Sequence, residues 1–335
     1  MRFLLAATVS LAALWAGYWF VGSSAAQSGM ANWFEERRSD GWVAEYDDLN
    51  VRGFPNRFDA GFTEISLADP GTGLAWQAPF FQVLALSYRP NHVIAVWPDQ
   101  QIIATPMQTL DVTSDDMRAS AVLEAGTGLT LDRATWTVKE MVITPRDESG
   151  PISVSAMTLA AEQINAVAKT RYHLGLSATG FAPPSGFLAN VDSGKTLPRA
   201  LETLRADLEV TFDAPWDRYA IEDARPQPRQ INLKLAEARW GRLSLKAAGT
   251  LDVDETGMAK GEITIKAENW REILELARAS GTVPESVVGP LRDGLSLLAR
   301  LAGNPQTLDI PLTFSGGRVW LGPVPVAKAP LIRIR

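Results

Sequence analysis

Leu204-Arg205-Ala206-Asp207-Leu208-Glu209-Val210-Thr211-Phe212 decides the fold class. Leu204, Ala206, Leu208, Val210 and Phe212 are apolar, and the residues between them are polar or charged. A period of two sends alternate side chains to opposite faces, so the stretch predicts a strand in an antiparallel sheet with one dry and one wet face. The same language continues downstream. Ile231 to Ala238 and Leu243 to Val253 read as strands, Asp254-Glu255-Thr256-Gly257 as a turn, and Ala259 to Ala267 as the returning strand. The period then becomes helical. Asn269 with Glu272 three residues on predicts a capping box, and Trp270, Ile273, Leu274 and Ala277 form an apolar stripe that Gly281 ends. A second helix is predicted from Glu285 to Ala302. Val287, Val288, Leu291, Leu295, Leu298 and Leu301 mark its buried side, Pro290 lies near its start, and Gly303 and Pro305 stop it. Thr307 to Phe314 and Arg318 to Leu321, joined at Gly316-Gly317, predict a closing hairpin before an extended tail, Pro323 to Arg335.

Towards the N-terminus, runs of strand length follow one another. They are Trp42 to Val51, Arg57 to Leu67, Leu74 to Gln77, Phe80 to Tyr88, His92 to Trp97, Gln101 to Ala104, Met107 to Thr113, Met117 to Glu124, Leu129 to Thr144, Ile152 to Asn165 and Thr170 to Thr179. Turn chemistry separates them, as at Gly53-Phe54-Pro55-Asn56, Asp69-Pro70-Gly71 and Arg89-Pro90-Asn91. Many short strands with regular turns predict a meandering antiparallel sheet. Pro183-Pro184-Ser185-Gly186 interrupts the series. It divides the body into a β-rich part, residues 28–182, and a second β-rich part with two helices, residues 183–335.

Phe3 to Gly22 contains no charged side chain. At ~1.5 Å per residue a helix over this run is ~30 Å long, the thickness of a bilayer's hydrocarbon core. Two readings stay open for residues 1–27. As an uncleaved single-pass anchor the segment has the length, and Trp15, Tyr18, Trp19 and Phe20 cluster at its outer end, where amphipathic aromatics prefer the headgroup level. As a secretory signal it has Arg2 before the apolar core and the small residues Ser23-Ser24-Ala25-Ala26 after it. Both place the body across the membrane from the N-terminus. Met30, Trp33, Phe34 and Arg37 then recur at helical spacing and predict a separate short amphipathic helix from Ser28 to Gly41.

The net charge of -6 argues against a nucleic-acid surface. The lack of cysteine excludes thiolate metal sites and cysteine nucleophiles, and it is compatible with a periplasm. The tryptophans fall along predicted strands, as core packing or as the lining of an apolar groove. Gly194-Lys195-Thr196 resembles the end of a phosphate loop, but Ala189 stands where that motif needs glycine and Pro198 stands where its helix should begin. His92 and His173 are the only histidines; neither has a ligand-spaced partner, and no GxSxG elbow accompanies them. Asp47-Asp48 and Asp115-Asp116 are adjacent pairs, which a strand sends to opposite faces. Asp252 and Asp254 share a face but flank a hairpin turn, without the ligand density of a calcium loop. No catalytic, cofactor or metal residue is assigned, and a non-enzymatic protein is expected.

Three stretches carry a resemblance. They are Arg52-Gly53-Phe54-Pro55-Asn56-Arg57-Phe58, Tyr88-Arg89-Pro90-Asn91-His92-Val93-Ile94, and Phe314-Ser315-Gly316-Gly317-Arg318-Val319-Trp320-Leu321-Gly322-Pro323-Val324-Pro325. On these, the chain resembles over nearly its whole length the alphaproteobacterial envelope proteins grouped as domain of unknown function 2125. The resemblance implies a membrane-anchored envelope location and no assigned activity. The last block also resembles AsmA-type envelope proteins in pattern: an anchor, long amphipathic strands, and a helix-and-hairpin cap. That likeness implies phospholipid movement along an apolar groove, and fold analogy alone does not establish it.

The expected architecture is therefore mainly β with some α: a single-pass N-terminal helix, a long curved antiparallel sheet, and C-terminal helices packed on it. The sheet forms an open groove in one version and a closed core in the other. The expected location is the bacterial inner membrane, held through Phe3 to Gly22 with the body in the periplasm, or the periplasm after signal cleavage. The expected role is holding or passing phospholipid along a furrow lined by Leu208, Val210, Phe212, Leu243 and Leu245. A scaffold that binds envelope proteins, with an exposed apolar patch near Pro323 to Pro330, is the alternative, and a hydrolase using His92 or His173 is the third.

Overall fold

The computed structural model describes residues 1–334 except 148, 165, 166, 168, 193–195, 223, 282, 284 and 302–305. Among the described residues eighteen strands join one antiparallel hydrogen-bonded network. The chain forms two compact units, Met1–Ala125 with Trp136–Glu148, and Gly126–Thr135 with Ser149–Arg335. The break at Pro183-Gly186 lies inside the second unit.

The first unit opens with α1, a single helix over Arg2–Ser39. The separate helix expected from Ser28 does not exist, because nothing between Gly22 and Ser28 stops a helix: the residues are small, non-proline and alanine-rich. The helix ends where expected, at Asp40 and a left-handed Gly41 with φ 86°. Strands β1 (Val43–Glu45), β2 (Asp48–Arg52), β3 (Arg57–Asp69), β4 (Leu74–Leu86), β5 (Arg89–Val96), β6 (Gln100–Ala104), β7 (Thr109–Thr113), β8 (Asp116–Leu123) and β9 (Leu131–Pro145) follow, β9 crossing from one unit to the other. β3 and β4 form a long hairpin. β4 runs unbroken through Pro79, where two strands were expected. Its partner changes there, from β6 at Ala75–Gln77 to β5 at Gln82–Leu86, and across β3 the ladder skips Glu64. Proline's missing N–H therefore falls where no ladder bond is needed. Phe34, Ala44, Leu49, Phe62, Ile65 and Ala78 form a core cluster between α1 and the sheet.

The second unit is a consecutive meander. Strands β10 (Ile152–Gln163) and β11 (Arg171–Thr179) precede a short helix, α2 (Ser185–Val191). β12 (Thr203–Phe212), a single turn α3 (Tyr219–Glu222), β13 (Pro228–Trp240), β14 (Leu243–Val253) and β15 (Ala259–Glu268) come next. Helices α4 (Trp270–Ala279) and α5 (Glu285–Leu301) then lead to β16 (Thr307–Ser315), β17 (Arg318–Leu321) and β18 (Val324–Lys328). Each strand from β10 to β18 pairs antiparallel with the next.

Two helical details differ from the sequence reading. Asn269 is left-handed (φ 58°) and its side chain does not cap α4; it donates to the Arg242 carbonyl at 2.6 Å. Glu272 pairs with Arg242 at 2.8 Å, so the expected box is replaced by a tie to the β13–β14 turn. On α5 the buried side is Val288, Leu295 and Ala299, packed with Trp270, Leu274 and Leu308, while Leu298 faces outwards. Leu295 follows Val288 by seven residues and Ala299 follows Leu295 by four, which keeps to the helical period better than Leu298 does. The side chains of Val287 and Leu301, and the stop at 303–305, lie outside the described residues.

Two glycines on β14 and β15 leave no room for a side chain between the strands. A Cβ on Gly249 would lie 2.1 Å from the Glu262 carbonyl oxygen, and one on Gly261 would lie 2.2 Å from that of Thr250. Both have φ near +150°, which only glycine adopts readily. Gly249→Ala is expected to destabilise the protein by at least ~1–3 kcal/mol. Denaturant unfolding checks this against Gly294→Ala inside α5, where nothing lies within 4 Å and a stabilisation of ~0.5–1 kcal/mol is expected.

Candidate functional site

The alternation read at Leu204–Phe212 extends across the second unit in register. Leu159, Leu176, Ala206, Ala236, Ala247, Ile265 and Ile310 lie opposite one another on successive strands from β10 to β16. Two residues along, Ala161, Leu174, Leu208, Leu233, Gly249, Ile263 and Leu312 form a second such row. The irregularity between Leu233 and Ala236 on β13 keeps both rows on one face. None of these residues is polar and none is fully buried. With strands ~4.8 Å apart and alternate residues ~6.8 Å apart, the two rows cover roughly 29 by 14 Å. That footprint is on the order of 400 Å², within the range of the largest apolar patch on a typical monomer, a patch that is often functional.

Packing closes both flanks of these rows. On one side Ala267 and Leu308 lie under α4 and α5, within the cluster of Trp270, Leu274, Val288, Leu295 and Ala299. On the other, Tyr172, Val210 and Phe212 form a cluster joined by Leu131, Trp216 and Ile334. Tyr172 donates its hydroxyl to the Leu131 carbonyl at 2.9 Å. Gln227 exchanges two hydrogen bonds with the Ile334 backbone, holding the tail in place. Between these flanks the floor is lowest where Ala206, Ala236 and Ala247 stand side by side, flanked by Leu176 and Ile265.

The five residues expected to line a furrow divide accordingly. Leu208 is half-buried and packs, like Leu174, against the flanking cluster, and Leu245 lies on the same face, opposite Ala238 and Ala267. Val210 (3% exposed) and Phe212 (6%) are buried in the flanking cluster, and Leu243 (4%) is buried beside α4. Strand parity was legible in the sequence, but which segments cover which end was not. The residues that sequence reasoning missed, Ala206, Ala236, Ala247, Ile263 and Ile265, share that parity. Only the cross-strand register singles them out.

The opposite face is ionic. Glu209 pairs with Lys234 at 2.5 Å and with Arg171, and the hydrogen bond from Lys234, then that from Arg171, holds its carboxyl below the ordinary range. His173 lies 2.9 Å from Asp207. In the first unit, His92 lies 2.9 Å from the Ser120 hydroxyl on the face opposite Val93 and Ala95. Both histidines thus make contacts across strands on sheet faces. Asp254 accepts from the backbone of Thr256 and Met258, a turn role, and Asp252 accepts from Gln230. Among the described residues no group of three His, Cys, Asp or Glu side chains could hold a metal ion. The phosphate-loop likeness at Gly194-Lys195 lies outside them.

The first unit holds two further features. A cavity of about 230 Å³ is lined only by apolar side chains, including Met30, Trp33, Phe62, Trp76 and Phe81. Closer to the N-terminus, α1 is gripped by two turns. Trp15 donates to the Pro55 carbonyl at 3.0 Å, Tyr18 to that of Ser87 at 2.6 Å, and Trp19 to that of Arg57 at 2.7 Å. Trp19 is 6% exposed and packs against Phe54 and Phe58. Gly22 lets the Phe58 ring lie against the helix.

A family model described as "Uncharacterized protein conserved in bacteria (DUF2125)" matches residues 19–330. The chain belongs to this family. The match takes in both gripping turns, all rows of the apolar face and the closing hairpin, and it begins at Trp19, inside the apolar run. No curated protein and no solved structure matches the chain. Family membership brings no chemistry with it, so the geometry has to carry the functional reading.

Trp19→Ala removes a buried aromatic that ties α1 to β3. It is expected to cost ~3–5 kcal/mol, read as a lowered midpoint in thermal unfolding of the full-length protein in detergent. Trp15→Ala, at a more exposed ring, is expected to cost less.

Proposed function

We propose that this is a non-enzymatic, membrane-anchored protein of the cell envelope whose body lies in the periplasm and holds or passes lipid along the apolar face of β10–β16. The observation that carries the reading is the pair of half-buried, wholly apolar rows, flanked on both sides by packed clusters. A monomeric protein gains by burying such a surface, so one kept partly open suits an apolar ligand. α1 is long and apolar enough to cross a membrane. Retention of α1 is favoured over signal cleavage because cutting after Ala26 would strip Trp19 from Phe58 and leave the Arg57 carbonyl without its donor. The intact mass of protein from the membrane fraction is expected to include residues 1–26; a mass lacking them would point to a secreted body.

The decisive test is photo-crosslinking in cells. With a benzophenone amino acid at Ala247 or Ile265, adducts of phospholipid mass are expected. With it at Lys246 or Lys266, on the opposite face, none are expected. Lack of lipid at all four positions would remove the groove reading. The second reading, a protein scaffold, is favoured by exposed Val324 and Leu331 near the C-terminal tail. It predicts a discrete protein adduct from those two positions and no lipid from Ala247.

A further inference from the structure

We infer that the two turns gripping α1, residues 52–57 and 86–89, form a membrane-embedded tip, with Phe54 and Tyr88 inserted at the lipid interface of the bilayer that α1 crosses. The inference rests on the anchor reading of α1. The helix supplies the geometry. Trp15, Tyr18 and Trp19 lie 12 to 16 residues beyond Phe3, ~18–24 Å along the axis. A hydrocarbon core is ~30 Å thick, so a helix that spans it from Phe3 holds these three residues in the outer part of the core, within ~6–12 Å of its outer boundary and not past it. The turns bonded to them must sit at the same depth.

The turns are built for that depth. Phe54 is 54% exposed and stacks on Phe20, itself 62% exposed, so the apolar surface of the helix continues sideways onto the turn. Tyr88 is 59% exposed on the neighbouring turn. Backbone carbonyls are costly in lipid unless they are paired, and those of Pro55, Arg57 and Ser87 each accept a hydrogen bond from an aromatic side chain of the helix. Arg52 and Arg89 are exposed on the same turns, where long cationic side chains reach back to lipid phosphates, while Arg57 pairs with Asp59 at 3.0 Å. The far end of the same hairpin, near Thr72 and Met107, lies about 40 Å away along β3.

The lack of cysteine allows single nitroxide labels at Leu14→Cys, Phe54→Cys, Tyr88→Cys and Met107→Cys in the full-length protein, reconstituted in phosphatidylcholine–phosphatidylglycerol vesicles. Collision with oxygen against a water-soluble nickel chelate reports depth. The expected result is a lipid-like ratio at 14, ratios at 54 and 88 several-fold above that at 107, and an aqueous ratio at 107. A lipid-like label at 14 with aqueous labels at both 54 and 88 would overturn the tip while leaving the anchor. An aqueous label at 14 would sink the anchor, and the tip with it.

Discussion

A sheet whose strands alternate strictly between dry and wet faces has to cover the dry one. The meander from β10 to β18 is long enough that the covering segments run out. Helices α4 and α5 seal one margin, and Tyr172, Phe212, Trp216 and the tail residue Ile334 seal the other. The half-buried rows between them follow from that shortfall. The wet face needs no such help, because its charges pair across strands, as Glu209 does with Lys234 and Arg171. Exposed pairs of this kind contribute little stability, so the fold rests on the ladders and the two sealed margins.

The first unit meets the same constraint differently. Its sheet is covered by the continuation of α1, a helix apolar and long enough at its start to cross a membrane, so one element is apolar span at its start and core at its end. Phe34, near the end of α1, is buried against Phe62, and Trp19, fifteen residues earlier, is buried against Phe58. Such a helix cannot bend at residues 23–28 without losing one of the two contacts. The small residues there, readable as a cleavage region, serve equally well as uninterrupted helix.

Local pattern was legible wherever a period of two ran undisturbed. Leu243–Val253 is bounded as the sequence places it, and Leu204–Phe212 gains a single residue. It failed where the partner decides the outcome. Pro79 looks like a break until the two partners of β4 are known, and Asn269 looks like a cap until the Arg242 carbonyl is seen to take its amide. The rows of the apolar face failed for the same reason. Ala236 and Leu233 are three apart and would point to opposite faces, and only the irregularity between β13 and β14 returns them to one.

The chemistry of the open rows also limits what can occupy them. They carry no side chain able to donate or accept a hydrogen bond, and the backbone beneath them is already spent on the ladders. An extended peptide laid across this floor would bury its own N–H and C=O groups without partners, at a cost of about 1–3 kcal/mol for each. An acyl chain has no such groups and gains from every methylene it buries, roughly 0.8 kcal/mol each. The floor is lowest where three alanines meet, which leaves room for a chain without displacing the neighbouring leucine and isoleucine side chains. A protein partner would have to bring a segment that satisfies its own backbone, as an amphipathic helix does, whereas an acyl chain needs no prior folding.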